Sequence, residues 1–209
     1  MSEIRIDGQT QDPVFIFAHG AGAGMEHAFM QAVAAGLAQK GVQVVRFNFP
    51  YMVKRAQDGK KRPPDRAPKL LEAYTEVIEQ FAQQGPIVIG GKSMGGRMAS
   101  LLADHPNVAG VACLGFPFHP PGKPENYKGD HLAQLSKPCL ILQGERDTFG
   151  KREEFAEFTL SEQVITAFLP DGDHSFKPRK ASGHTEAGNI DRVIEQLAAF
   201  ILEVYHGAK

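Results

Sequence analysis

Apolar residues in this chain gather in short runs bounded by glycine, proline or charge, and two periodicities alternate along it. Val14-Phe15-Ile16-Phe17-Ala18 is a near-continuous apolar run ending at His19-Gly20, which predicts a strand buried on both faces and stopped by a turn. Helical spacing follows in Phe29, Met30, Val33 and Leu37, with Gly41 as its stop. Residues 42–49 read as a second strand, and residues 51–68 as a Pro-rich, basic loop. Leu70, Leu71, Tyr74, Val77, Ile78 and Phe81 share one face of a helix predicted over 69–84, which Gly85 ends. Strand-like runs recur at 87–90, 108–114 and 139–143, the first two separated by a helix from Met94 to about His105 that Pro106 terminates. A helix over 151–160, a strand over 164–169 and an amphipathic helix carrying Ile190, Val193, Ile194, Leu197 and Ile201 complete the pattern.

Such alternation predicts a three-layer α/β fold, a mostly parallel sheet of six to seven strands with helices on both faces. No repeat or low-complexity linker interrupts the 209 residues, so a single domain spanning 1–209 is expected. Composition narrows the partners. A formal net charge of -1 offers no general attraction to nucleic acid or anionic membrane, and no apolar run reaches the length of a membrane span. A small-molecule partner in the cytoplasm is the expectation, with no oligomeric state assigned. Cys113 and Cys139 each sit inside an apolar run and are read as inert core thiols.

Two glycine-rich stretches imitate phosphate-binding loops and fail on inspection. The segment from Gly85 to Ser93 ends in Gly-Lys-Ser, but Pro86 and the intervening residues form the strand itself, so no phosphate cradle can develop there. His19-Gly20-Ala21-Gly22-Ala23-Gly24-Met25 lacks the third glycine of a dinucleotide fingerprint, and the next strand ends Phe47-Asn48-Phe49-Pro50 without a ribose-binding acid.

Gly91-Lys92-Ser93-Met94-Gly95 fits the G-x-S-x-G pattern, directly after an apolar strand and before a helix. A serine there stands on a sharp turn at a helix N-terminus, and the flanking glycines remove Cβ atoms that would collide. A serine hydroxyl needs an imidazole to take its proton and a carboxylate to orient that imidazole. Folds that use this turn order the three as serine, acid, histidine. Asp147 ends the strand Leu140–Gln143, with Glu145 as the runner-up acid, and His174 follows the strand over 164–169 in Pro170-Asp171-Gly172-Asp173-His174. The backbone N–H groups of Met94 and of Ala21, with Gly22 next, are the expected oxyanion donors.

These residues resemble the minimal, lidless α/β-hydrolases related to dienelactone-hydrolase-like proteins. The resemblance rests on four phrases in order: residues 17–22, residues 91–97, Gly115-Phe116-Pro117-Phe118-His119-Pro120-Pro121-Gly122, and Gln143-Gly144-Glu145-Arg146-Asp147. It implies acyl hydrolysis by Ser93, Asp147 and His174 on an ester, a thioester or a related acyl substrate. Dienelactone hydrolases proper carry cysteine where this chain has Ser93, so their substrate is not implied. The stretch between Leu114 and Cys139 is too short for a cap, which implies an open, shallow pocket.

His19, Phe116, Phe118 and His119 are candidates for lining that pocket. Lys92 and Arg97 flank the serine and read as structural partners of nearby carboxylates, with substrate contact as the alternative, while the basic residues of 54–66 read as solvated surface, with recognition of an anionic substrate or partner as the alternative. No metal and no cofactor is expected. The alternative function, from a different class, is a protein-interaction module that keeps the fold with little turnover.

Overall fold

The computed structural model describes residues 3–208. Its elements run β1 (Ile4–Asp7), β2 (Val14–Ala18), α1 (Ala28–Gln39), β3 (Gln43–Phe47), α2 (Pro50–Asp58), α3 (Ala67–Phe81), β4 (Ile87–Lys92), α4 (Met94–Leu101), β5 (Val108–Leu114), β6 (Cys139–Gly144), β7 (Val164–Leu169) and α5 (Glu186–Gly207). The strands make one seven-stranded sheet in the order β1-β3-β2-β4-β5-β6-β7. Every pairing is parallel except β1 with β3.

Period-two alternation along β2 sends Val14, Ile16 and Ala18 to one face and Phe15 and Phe17 to the other. On the first face the sheet meets Leu70, Tyr74, Val77 and Phe81 of α3 and Met98 of α4. On the second it meets Met30, Val33 and Leu37 of α1 and Val193, Leu197 and Ile201 of α5. Both faces are thus covered by helices, which is why the central strands read as unbroken apolar runs. Cys113 and Cys139 are buried and free. No described helix is long and apolar enough to cross a membrane.

The chain winds from β2 out to β3, then back past β2 to β4. Crossovers therefore leave the sheet in opposite directions at the β2–β4 pair, where Ala18 lies opposite Gly91. A crevice opens at the carboxyl ends of two such strands.

Four expectations change. Ile4–Asp7, unassigned from the sequence, is an antiparallel edge strand held by Arg46, whose Nε donates to Asp7 Oδ2 at 2.9 Å. The segment read as a loop over 51–68 begins with α2, because Pro50 sits in its first turn, where its missing N–H costs nothing. The helix expected over 151–160 is a single short 3-10 turn, Arg152–Ala156. The helix after Ser93 ends at Leu101 rather than near His105.

Candidate functional site

Ser93 follows the last residue of β4 and adopts φ 50° and ψ -114°, a left-handed conformation for a residue with a side chain. Backbone of this kind costs on the order of 1–3 kcal/mol and persists only where its surroundings enforce it. Two glycines allow it. A Cβ on Gly91 would strike the backbone of Gly95, and one on Gly95 would lie 2.6 Å from both Ala18 O and His19 O.

The Ser93 hydroxyl lies 2.8 Å from His174 Nε2 across 81 residues of chain. His174 Nδ1 donates to Asp147 at 2.8 Å to Oδ2 and 3.0 Å to Oδ1, which leaves Nε2 free to accept from the serine. Asp147 is fully buried and its remaining valences are filled. Phe149 N–H donates to Oδ1 at 2.9 Å, and the Gln143 side-chain amide donates to Oδ2 at 3.0 Å. Gln143 is itself oriented by accepting from Phe116 N–H at 2.8 Å. Sequence reasoning passed over Gln143; the signal was a polar amide in the otherwise apolar run Cys139–Gln143.

His174 projects from a tight loop. Asp173 Oδ1 caps Ser175 and Lys177 N–H groups, while Asp171 is clamped by Arg179 and Arg146. Hydrogen bonds donated by the Arg179 side chain and backbone N–H hold the Asp171 carboxyl down at about 2. The Phe149 ring covers the imidazole, with centroids 4.2 Å apart. Glu145, the runner-up acid, accepts from Asp171 N–H and Arg152 and makes no bond to His174.

The loop after β2 closes the other side. A Cβ on Gly20 would lie 3.8 Å from Ser93 Cβ, so this loop runs against the serine. Its carbonyls are each engaged: Gly20 O with His19 Nδ1 at 2.7 Å, Ala21 O with the Tyr51 hydroxyl at 2.8 Å, and Gly22 O with Arg55 Nη1 at 2.8 Å. In a trans peptide the N–H points opposite to the carbonyl of the preceding residue. Fixing the Gly20 and Ala21 carbonyls therefore turns the Ala21 and Gly22 N–H groups the other way, and neither finds an acceptor among the described residues. Met94 N–H, at the first position of α4, has no intrahelical partner.

A cavity of about 400 Å³ opens here, lined by Ala21, Gly22, Phe29, Ser93, Phe149 and His174 among others. The four pocket candidates named from the sequence do not line it. His19 is wholly buried, donating from Nδ1 to Gly20 O and accepting at Nε2 from Phe49 N–H at 3.0 Å. That pair of bonds requires the neutral ring, and burial pulls its pKa down to about 4, against the opposing bond to Gly20. Phe116 and Phe118 pack in the core with ring centroids 4.7 Å apart, and His119 is buried against Glu154 at 2.9 Å. Residues 60–66 also lie outside the cavity lining; of the basic segment, Arg55 alone bonds the Gly20–Gly22 loop. A second serine–histidine contact, Ser100 Oγ to His131 Nε2 at 2.8 Å, has no carboxylate hydrogen-bonded to the imidazole among the described residues, and Ser100 is buried within α4.

Comparison with known proteins agrees with this architecture. A family model described as an alpha/beta hydrolase domain matches residues 11–202. No curated protein matches. Among solved structures, an alpha-beta serine hydrolase homologue from Coxiella burnetii superposes with a TM-score of 0.68 at 20% identity, covering 94% of this chain and 89% of that one. Est1E from Butyrivibrio proteoclasticus with ferulic acid bound gives 0.70 at 20% identity, covering 96% and 94%. A dienelactone hydrolase from Anabaena variabilis gives 0.75 at 18% identity, covering 96% and 90%.

Proposed function

The chain belongs to the alpha/beta hydrolase domain family, and from that premise we propose that it is a serine hydrolase of esters, thioesters or related acyl bonds. One observation carries the reading: the unbroken hydrogen-bonded line from Ser93 Oγ through the His174 imidazole to buried Asp147. Ser93 Oγ attacks the acyl carbon while His174 Nε2 takes its proton, and the carbonyl electron pair moves onto oxygen. Ala21 and Met94 N–H groups, with Gly22 N–H beside them, stabilise that oxyanion. Asp147 keeps Nδ1 protonated and balances the imidazolium. Collapse expels the leaving group, which carries off the proton from His174; water then repeats the sequence on the acyl-enzyme and restores Ser93.

Phe29, Met30, Ala21, Ala23 and Phe149 make the cavity wall largely apolar, which supports a short acyl group as the recognised portion. A structural relative, a thermophilic esterase from Thermogutta terrifontis, is named for ester chemistry.

Labelling with a fluorophosphonate probe, alongside hydrolysis of p-nitrophenyl acetate, tests the reading. Wild type is expected to label and turn over, and Ser93→Ala and His174→Ala to do neither. Labelling of Ser93→Ala at the wild-type rate would remove Ser93 from the chemistry, and silence of the folded wild type toward both reagents would favour a non-catalytic interaction module.

A further inference from the structure

Lys92, the residue before the nucleophile, is not used by the mechanism above. It lines the cavity, yet its ammonium turns inward and donates to the main-chain carbonyl of His174 at 2.5 Å. The Nζ atom also lies 5.5 Å from the centroid of the Phe176 ring, within reach of a cation–π contact. Gly115 makes room for it. At φ 67°, Gly115 has a Cβ position that would be 2.8 Å from Lys92 Nζ, 3.3 Å from His174 O and 3.5 Å from Asp147 Oδ2. The ammonium, the backbone of the base and the carboxylate of the acid therefore converge on the space that one missing methyl leaves open.

We propose that Lys92 is a positioning residue: its ammonium ties the loop bearing His174 to the strand bearing Ser93 and keeps the imidazole over the hydroxyl. The inference rests on the serine-hydrolase reading of the same site. Arg146 and Asn189 also bond the backbone of this loop, at Asp171, Pro170 and Phe176, but among the described residues Lys92 is the side chain that bonds the carbonyl of His174 itself, and it does so from the end of β4 beside Ser93.

The hold depends on charge. A neutral amine donates a weaker hydrogen bond than an ammonium and loses the contact with the Phe176 face. Burial pushes the Lys92 ammonium down to about 8, opposed by the carboxylates that face it, Asp147 beyond β6 and Asp173 beyond β7. His174 itself is the remaining titratable neighbour. Activity should consequently fall at alkaline pH as Lys92 loses its proton.

The test is the pH dependence of fluorophosphonate labelling from pH 6 to 10, for wild type and Lys92→Met, with circular dichroism to verify the fold. Wild-type labelling is expected to fall by about fivefold above pH 8, the loss of one charge-assisted bond. Lys92→Met should label about fivefold more slowly at pH 7 and show no alkaline decline. A folded Lys92→Met that labels at the wild-type rate at pH 7 and keeps the wild-type pH profile overturns the proposal. If no form labels, the serine-hydrolase reading has failed, and backbone hydrogen exchange decides the tether separately. Amides 174–177 should then exchange about tenfold faster in Lys92→Met at pH 7, and equal protection would overturn the tether.

Discussion

The Tyr51 hydroxyl donates to the carbonyl of Ala21 at 2.8 Å, and lies 3.2 Å from that of Gly20. This contact joins α2 to the loop that presents the Ala21 and Gly22 N–H groups. The hydroxyl touches only the far side of those peptides, so under the proposed mechanism it would act on the transition state through the orientation of the donors. Tyr51→Phe should lower kcat for p-nitrophenyl acetate by about tenfold with little change in KM, a fraction of what loss of a whole oxyanion donor costs. Steady-state kinetics on the folded variant check this.

Asp147→Asn probes the other end of the site. Gln143 already presents an N–H to Oδ2, so an amide at position 147 sets two N–H groups against each other or turns its nitrogen toward His174 Nδ1. The first arrangement loosens the support of the imidazole, and the second favours the tautomer that cannot accept from Ser93. The expected loss in kcat is about 10⁴-fold, measured beside unchanged circular dichroism.

Much of this site was legible in the sequence because each part sits at the end of an apolar run. Ser93, Asp147 and His174 each follow a strand of the sheet, β4 and β6 buried and β7 at its half-exposed edge, so strand ends alone brought three distant segments together. What escaped notice depends on contacts that no local pattern records. Lys92 meets a main-chain carbonyl 82 residues away, and Gln143 is defined by what it orients. Phe116, Phe118 and His119 looked like pocket residues because they follow β5, but the chain turns them into the core, where they pack beneath the 3-10 turn at Arg152–Ala156. The strand β1 is only four residues long and half charged, and its pairing with β3 is antiparallel, outside the alternating scheme.

His19 gives the fold an acid limit. Its folded pKa of about 4 lies below the unfolded value near 6.5, so the unfolded chain binds the extra proton first. This contribution is fully present above pH 6.5 and is lost as pH falls through 4. It amounts to about 3 kcal/mol. Urea unfolding of wild type from pH 7 to 4 should show the decline, and His19→Gln, which can donate to Gly20 O and accept from Phe49 N–H without titrating, should flatten it.

Two glycine substitutions should separate sharply. Gly95→Ala puts a methyl 2.6 Å from the Ala18 and His19 carbonyls, which cannot yield without parting α4 from β2. It should cost about 3 kcal/mol or more and abolish probe labelling. Gly22→Ala meets nothing within 4 Å and should leave the melting temperature within about one degree. Differential scanning calorimetry distinguishes the two.

The vacancy beside Gly22 has a wider meaning. A side chain added there would meet open space at the border of the site cavity, on a residue whose carbonyl Arg55 already anchors. Under the proposed function, admission of substrate could thus be retuned at this one position while Arg55 and Tyr51 keep the loop's carbonyls where they are.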